Sequence, residues 1–222
     1  AANSSYSSGS GTAGDPYLIC DVCDLQTVNL NLSAHYALNN SINASATSGW
    51  NGGNGFTPIG NGYGAFTGTF DGRGYTITGL YINRSAEQHV GLFGYVNPEW
   101  AIVSNVSLVD LNITGSDPVG GLAGISYGSV FNCSVSGNVS GSQSVGGLMG
   151  YNMGTISNSS AAANVSGNDN AIGGLVGWND AINEYGSISN SSATGTVNGV
   201  NNVGGLVGEN QGSVSNSYAM GN

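Results

Sequence analysis

The sequence predicts an all-β fold in which short parallel strands stack as the coils of one solenoid. One glycine-rich phrase recurs five times, at spacings of 26 to 31 residues, and apolar and polar residues alternate around it. A unit of this length cannot bury an apolar face alone, so neighbouring units must stack at about 4.8 Å and share a core. We expect roughly 7–8 coils in a single domain over residues 15–222, preceded by a tail at 1–14.

The recurring phrase places a leucine after one or two glycines. Its copies are VGLFG at 90–94, VGGLAG at 119–124, VGGLMG at 145–150, IGGLVG at 172–177 and VGGLVG at 203–208. Stacking would align their leucines in one buried column, namely Leu92, Leu122, Leu148, Leu175 and Leu206. The paired glycines predict either a backbone with positive φ or a close approach of neighbouring backbones.

A second phrase, of the type GSVFNCSVSGNVSG at 128–141, follows each copy and supplies further columns. One column is apolar: Val103, Val130, Ile156, Ile188 and Val214. Another would form a ladder of stacked amides: Asn105, Asn132, Asn158, Asn190 and Asn216. If these side chains point inward, the Asn-x-Ser/Thr sequons that they begin are inaccessible to glycosylation.

These two phrases, in this order and with paired glycines, resemble the GLUG-motif repeats of bacterial and archaeal surface proteins. The resemblance covers residues 90–222, and the upstream stretch 15–89, which includes FDGRGYTI at 70–77, is similar to the first coils of right-handed parallel β-helices. It implies a right-handed parallel β-helix, a surface location and a structural or adhesive role. It implies no catalytic residues.

Charge and hydropathy each exclude one class of function. Only 6% of residues are charged, the net charge is −10, and the basic side chains are Arg73 and Arg84. A nucleic-acid-binding protein needs a basic surface, which this sequence lacks. No apolar run approaches the roughly 18 residues of a membrane helix. We therefore expect neither nucleic-acid binding nor membrane insertion.

The chain contains many Asn-x-Ser/Thr sequons, which have two interpretations. They arise by chance in a chain rich in Asn and Ser, or they mark a secreted glycoprotein. Under the second interpretation the candidate glycosylation sites are Asn3, Asn31, Asn39, Asn43, Asn83, Asn112, Asn138 and Asn164.

The sequence offers little for catalysis or metal binding, so we predict a protein that is not an enzyme. Its acidic residues are scattered, whereas a hydrolase or lyase site needs clustered carboxylates. Asp71 and Arg73 flank Gly72 in what we interpret as a turn. Calcium held by loop carboxylates is an alternative that we do not favour, because the calcium-binding repeat Gly-Gly-x-Gly-x-Asp is missing. We expect no cofactor.

Three cysteines are present, and two of them form the motif Cys20-x-x-Cys23. A zinc site would need a second pair, and a redox site would need a helix that begins after Cys20, where the context is strand-like. We favour a Cys20–Cys23 disulfide in an oxidising environment. Cys133 would lie several coils away as a buried thiol.

Aromatic residues follow the first phrase at Tyr95, Tyr151 and Trp178, with Ile125 and Glu209 at the same position in other copies. Such a column packs a solenoid corner, contacts another subunit or holds sugar rings. It is therefore the candidate interaction face.

The last copy of the second phrase stops early, which predicts an open edge at the final coil. We expect an extracellular, cell-surface structural protein that assembles into a head-to-tail homopolymer by β-strand addition, with the tail at 1–14 docked on a neighbouring subunit. The alternative is a surface adhesin or a carbohydrate-binding solenoid. A filament predicts apolar end surfaces, whereas an adhesin predicts an aromatic and polar lateral groove.

Overall fold

The computed structural model, which describes residues 6–181 and 186–221, is a single parallel β-solenoid. Adjacent coils pair in parallel, as in the register of Val130 with Val103 on one side and Ile156 on the other. The predicted fold class is confirmed. Among the described residues, no helix has the length and apolarity needed to cross a membrane.

Each complete turn has four strand segments, which build four faces named here in chain order. The first face has four strands: Val119–Gly120, Val145–Gly146, Ile172–Gly173 and Val203–Gly204. The second face has five strands: Phe93–Val96, Ala123–Ser126, Met149–Asn152, Val176–Asn179 and Val207–Asn210.

The third and fourth faces extend further toward the N-terminus. The third face has eight strands: Tyr17–Ile19, His35–Leu38, Thr69–Asp71, Ile102–Ser104, Ser129–Phe131, Thr155–Ser157, Ser187–Ser189 and Ser213–Ser215. The fourth face has nine strands: Ile42–Asn43, Thr76–Thr78, Tyr81–Asn83, Ser107–Thr114, Ser134–Gly141, Ser160–Gly167, Ser192–Ala193, Val197–Asn198 and Tyr218–Ala219.

The number of coils depends on the face that is counted. The second face, which carries the repeat phrase, has five strands and defines about five turns, whereas the third face has eight. The expected 7–8 coils therefore apply only to the longest faces. Upstream of Phe93, connecting segments replace some strands, so those coils are incomplete.

The predicted leucine column lies in the core. Leu122 donates its backbone N–H to the carbonyl of Leu148 at 2.9 Å, and Leu148 donates to the carbonyl of Leu175 at 2.9 Å. The leucines from Leu92 to Leu175 are fully buried, whereas Leu206 in the last coil is only partly buried. The column therefore loses its cover on one side at that coil.

The paired glycines serve a close approach of backbones rather than positive φ. A Cβ atom at Gly147 would lie 2.3 Å from the carbonyl oxygen of Gly174 in the next coil, and one at Gly121 would lie 2.4 Å from that of Gly147. None of these glycines has a positive φ. Positive φ at the paired glycines is therefore wrong as an explanation, and the close approach of neighbouring backbones is right.

A short helix, α1 (Val22–Thr27), is continued by a 3₁₀ segment, Val28–Leu30, and packs its buried Leu25 into the core. The strand-like context expected after Cys20 is therefore wrong. Asp21 caps the helix by accepting the backbone N–H groups of Cys23 and Asp24. A longer 3₁₀ segment spans Ser45–Gly53.

The described part of the predicted tail lies against the chain's own first coils. Ser8 accepts the backbone N–H of Leu18 at 3.0 Å, and Gly11 accepts that of His35 at 2.9 Å. The ring of Tyr6 stacks on Tyr17 with centroids 4.6 Å apart. Residues 1–5 of the tail lie outside the described residues. The domain boundaries and docking on a neighbour stay predictions.

Candidate functional site

The candidate interaction face forms one continuous row on the second face of the solenoid. Strand register places Tyr95 beside Ile125, Ile125 beside Tyr151, Tyr151 beside Trp178, and Trp178 beside Glu209. All five side chains are partly exposed. We call these residues the aromatic row. Its members are one coil apart, or about 4.8 Å.

Ring contacts fix the orientation of the aromatic row. Tyr151 and Trp178 meet edge to face, with centroids 5.2 Å apart and an interplanar angle of 78°. His89 stacks on Tyr95 with centroids 5.9 Å apart at 17°. Tyr127 also packs on Tyr95, at 5.9 Å. Such pairs are favourable beyond the area that they bury, so the row presents fixed ring surfaces.

A wall beside the row is formed by the turns that precede each copy of the first phrase. His89, Ser144, Ala171 and Asn202 each hold this turn with a positive φ between 46° and 59°. Non-glycine residues rarely adopt this conformation, and its cost concentrates at functional and tightly turned sites. The polar residues that precede these turn positions, such as Gln143 and Asn170, lie along one edge of the aromatic row.

Polar side chains of this wall form hydrogen bonds within and between coils. The Gln143 Nε2 atom donates to Asp117 Oδ2 at 2.7 Å. The Asn202 Nδ2 atom donates to Glu209 Oε2 at 3.1 Å, and Asn170 Nδ2 donates to the same oxygen at 3.5 Å. The wall therefore presents amides and carboxylates held in fixed positions.

Three residues of the aromatic row and the wall line an open cavity of about 270 Å³. The wall contributes His89, Asp117, Gln143 and Asn170. We call this cavity, with Ile125, Tyr151 and Trp178 as its floor, the lateral groove. Its composition, apolar rings with a few convergent polar groups, is typical of a small-molecule site near the lower end of the usual size range.

Burial sets the protonation of the groove. Desolvation lowers the pKa of His89, and the nearby Asp117 carboxylate opposes that shift only in part. Burial, and then a hydrogen bond to Asp180, raise the pKa of Tyr151. At neutral pH the imidazole is therefore uncharged and the phenol is protonated, so the charge of the groove comes from its carboxylates.

Two polar atoms at the groove are closed off from solvent without a hydrogen-bond partner in the described structure, namely Asp117 Oδ1 and Trp178 Nε1. Each such atom costs about 1–3 kcal/mol of folding free energy. Native proteins keep few of them, and those that remain call for an explanation such as a functional role. Both occur at the same cavity, which singles out the groove within the solenoid.

The turn that the sequence assigned to Asp71 and Arg73 is confirmed. Asp71 Oδ1 accepts the backbone N–H of Arg73 at 2.8 Å and the Asn105 Nδ2 group at 2.9 Å. Arg84 pairs with Glu87 at 2.8 Å. Across residues 6–181 and 186–221, no three His, Cys, Asp or Glu side chains come together in a way that could hold a metal ion.

The predicted amide ladder follows the outside of the turns. Its five asparagines all have positive φ, between 47° and 55°. Asn132 Nδ2 donates to Asn105 Oδ1 at 3.1 Å, which continues the contact of Asn105 with Asp71. From Asn132 onward these residues are exposed, so their side chains do not point inward. Their shared role is the left-handed turn that Asn tolerates.

A buried amide ladder lies elsewhere and was missed. Asn152 Nδ2 donates to Asn179 Oδ1 at 2.7 Å, and Asn179 Nδ2 donates to Asn210 Oδ1 at 2.7 Å. Asn152 and Asn179 are fully buried and also bind the carbonyls of Gly154 and Gly186. The sequence carries a signal for this ladder, because each of these asparagines stands four residues after the leucine of its phrase.

Replacing Asn179 with alanine should therefore destabilise the fold by about 1–3 kcal/mol, because it leaves Asn152, Asn210 and the Gly186 carbonyl short of partners. Urea unfolding followed by circular dichroism measures this loss. The matched control is Asn164→Ala, which removes an exposed amide from the fourth face and for which we expect a change within about 0.5 kcal/mol. Equal losses would contradict a structural role for the buried ladder.

The candidate glycosylation sites in the described residues are all exposed. These are Asn31, Asn39, Asn43, Asn83, Asn112, Asn138 and Asn164. Asn3 lies outside the described residues. Exposure makes these amides accessible to modification, and glycosylation itself stays a prediction.

The favoured Cys20–Cys23 disulfide is not formed, and all three thiols are free. Cys20 precedes the cap of α1 and its Sγ lies 3.1 Å from Ser7 Oγ, whereas Cys23 lies exposed in the first turn of the helix. The Cys20 thiol contacts Ser7 and Asn39, and the Cys23 thiol is exposed, so the two do not pair.

Cys133 should be the least reactive of the three thiols. It is buried, and desolvation raises the pKa of its thiol to about 12, so almost none is thiolate at neutral pH. We expect a thiol reagent at neutral pH to modify Cys23 readily and Cys133 only after denaturation. The variant Cys23→Ser is the control for assigning the fast phase. Rapid modification of Cys133 in the folded protein would contradict its placement in the core.

Comparisons with known proteins agree with the repeat. Three stretches match the family model for the GLUG motif: residues 119–140, 141–166 and 168–198. The chain is 46% identical over 134 residues to halomucin of Haloquadratum walsbyi. It is 41% identical over 138 residues to a protein of Evansella cellulosilytica provisionally named a Gly-rich membrane protein.

The matched stretches are 58% and 60% of this chain but only 2% and 16% of those relatives, so the chain spans a small part of their length. Among solved structures, the fold is similar to a Bacteroides ovatus protein provisionally named an immunoglobulin A1 protease. The TM-score is 0.80 with 19% identity, covering 98% of this chain and 69% of that one. This likeness shows the fold alone. The predicted resemblance is thus confirmed: the chain is a parallel β-solenoid, and its residues 119–140, 141–166 and 168–198 match the GLUG motif.

Proposed function

We propose that this chain is a structural solenoid of a surface-associated protein and that its lateral groove binds glycans without catalysis. The observation that carries the proposal is the groove itself, in which a row of fixed aromatic rings lies beside a wall of amides and carboxylates. Of the two functions weighed from the sequence, the adhesin is the one that predicts a groove of this kind.

The extracellular, cell-surface location is supported by relatives and composition. One relative is halomucin and another carries the name of a membrane protein. The chain itself has a net charge of −10 and exposed sequons along its sides. A rigid stack of this kind would hold a binding groove at a fixed distance from the rest of a long surface protein.

Sugar rings fit the two kinds of surface in the groove. Their C–H faces pack on aromatic rings such as Tyr151 and Trp178, and their hydroxyls both donate and accept hydrogen bonds. The Gln143 and Asn170 amides offer both functions at the wall. A ligand with one apolar face and a hydroxyl-bearing edge therefore matches the floor and wall together.

Each carboxylate at the groove accepts a hydrogen bond from a neighbouring side chain, and the second oxygen of Asp117 is closed off from solvent. Asp117 accepts from Gln143, Asp180 accepts from Tyr151, and Glu209 accepts from two asparagines. A glycosidase needs one carboxyl group free to donate a proton and a second free to attack or activate water. This engagement favours binding over hydrolysis.

A glycan array probed with the fluorescently labelled protein tests the proposal. We expect a restricted set of bound glycans, with the signal reduced at least about tenfold in Trp178→Ala and also reduced in Gln143→Ala. Gln143 is exposed, so its replacement leaves the fold intact. Trp100→Ala, which removes an exposed Trp that does not line the groove, is the matched control. A folded protein that binds no glycan would overturn the proposal.

A second candidate is the head-to-tail homopolymer, for which one observation speaks. The coil at 200–221 leaves members of the stacked columns exposed, with Val203 at 46%, Val214 at 39% and Tyr218 at 55%. Any further parallel coil, from a second copy or from a continuation of the same chain, would pair with this surface by strand addition. The first coil, however, is covered by residues 6–11 and by α1, so a second copy would have to displace them.

Negative-stain electron microscopy of the chain beside a version that lacks residues 1–12 tests the homopolymer. Fibres that disappear on truncation would support it and assign the tail to the contact. Separate rods in both samples would overturn it.

A further inference from the structure

The lateral groove continues past its own cavity. A second cavity, of about 690 Å³, shares His89 with the first and is also lined by Asn61, Tyr63, Glu87, Gln88 and Ser116. His89 therefore forms part of both walls. The two cavities are neighbouring parts of one depression along the side of the solenoid.

Strand register gives the direction of this depression. Bridges of Ile59 with Phe93 and of Phe66 with Val96 place the loop that carries Asn61 and Tyr63 one coil before Tyr95. The aromatic row then runs three further coils to Trp178. Four steps of about 4.8 Å give an extent of roughly 19 Å along the stack axis. A single sugar ring would fill only part of this length.

Tyr63 stands at the far end of the depression with its side chain fully exposed, at 103% of the reference area. An exposed tyrosine in a polar loop contributes little to folding. The loop is shaped by Asn61, which accepts the backbone N–H groups of Tyr63 and Gly64 at 2.9 and 3.2 Å. This ring is therefore free to cover a ligand that extends beyond His89.

The charge of the depression is negative. Asp117 lines it, Glu209 lies beside Trp178 at one end, and the sequence has no lysine. Glu87 and Arg84 form an ion pair, so together they add no net charge. His89 is uncharged at neutral pH because burial lowers its pKa. Uronic acids, sulfated sugars and other anions would be repelled by the Asp117 and Glu209 carboxylates here.

We propose that the depression binds a linear glycan without acidic groups, laid along the solenoid axis from Trp178 past His89 to Tyr63. This inference rests on the proposed glycan binding and adds the shape and charge class of the ligand. The Trp178 end holds the first rings on the aromatic row, and the Tyr63 end contacts the extension.

Isothermal titration with neutral oligosaccharides of increasing length, taken from the series that binds on the array, tests the length. We expect affinity to rise with each added ring until the depression is filled. Tyr63→Ala should reduce the affinity of long oligomers about tenfold and leave that of the shortest unchanged, whereas Trp178→Ala should weaken all of them. Trp100→Ala is again the control.

The charge class is tested with a matched pair, neutral galacto-oligosaccharides and oligogalacturonates of equal length. We expect the acidic series to bind at least about tenfold more weakly at low salt. Tighter binding of the acidic series, or short neutral sugars that bind with no gain from length and no effect of Tyr63→Ala, would overturn this inference and leave glycan binding standing. Absence of binding to any sugar would overturn both.

Discussion

Replacing Leu148 with alanine is expected to lower the free energy of unfolding by about 2–5 kcal/mol. Leu148 is fully buried at the centre of the leucine column, and its backbone pairs with Leu122 and Leu175 on both sides. Truncation removes buried apolar surface and leaves a cavity that neighbouring coils cannot close, because their spacing is fixed by strand pairing. Urea unfolding followed by circular dichroism measures the change.

The matched control is Leu206→Ala in the same column. Leu206 is only partly buried, since the coil at 200–221 has a neighbour on one side. Its truncation should therefore cost clearly less than that of Leu148. A loss at Leu206 as large as the loss at Leu148 would contradict the stacked column.

Replacing Gly147 with alanine should also be severe, by about 1–3 kcal/mol or more. The added Cβ would lie 2.3 Å from the carbonyl oxygen of Gly174 and 2.8 Å from the Ala161 Cβ. Both contacts are with the rigid parts of neighbouring segments, so the coils would have to separate and lose hydrogen bonds. Thermal unfolding by calorimetry, together with urea titration, measures this loss.

Gly205→Ala makes the same chemical change where the close contact is with a side chain of the last coil and not with backbone. The nearest atom to its added Cβ would be the Ala219 Cβ at 3.0 Å, with no backbone atom in the way. We expect a small effect at this position. If Gly205→Ala destabilised the protein as much as Gly147→Ala, helix or strand propensity rather than close approach would explain the paired glycines.

The stacked part of the fold could be predicted because each coil places the same demand on the same position. Stacking buries the same repeat positions in neighbouring coils, as it does for Leu148, Ile156 and Val165. Repetition of the phrase therefore reveals the register directly, and the structure confirms it. Fold class and repeat family followed from this one pattern.

The parts that escaped prediction are local or occur once. The helix α1 depends on capping by Asp21, while Asp24 accepts the backbone N–H of Cys20 at 2.9 Å, and no second copy of this arrangement draws attention to it. The unpaired state of Cys20 and Cys23 likewise depends on local contacts, such as that of the Cys20 thiol with Ser7. The buried ladder through Asn179 has a signal in the repeat, because Asn follows Tyr151, Trp178 and Glu209 in successive copies. The prediction used only the aromatic residues of these pairs.

The floor of the candidate site was predictable and its wall was not. Tyr95, Tyr151 and Trp178 occupy one repeat position, so stacking alone places them in a row. Asp117 and His89 join them through turns whose sequences differ from copy to copy, and which reach their positions through unusual backbone angles or a cis peptide bond. A repeat pattern contains no information about such turns.

The central claim, that the lateral groove binds a glycan on its aromatic row, is tested most directly by the fluorescence of Trp178. The chain has three tryptophans, so Trp50→Phe with Trp100→Phe leaves Trp178 as the sole reporter. Quenching by acrylamide should fall when a glycan identified on the array is added, and the protection should saturate with the same affinity as the titration. Unchanged quenching at saturating glycan would contradict the claim, because the sugar would then be bound elsewhere on the protein.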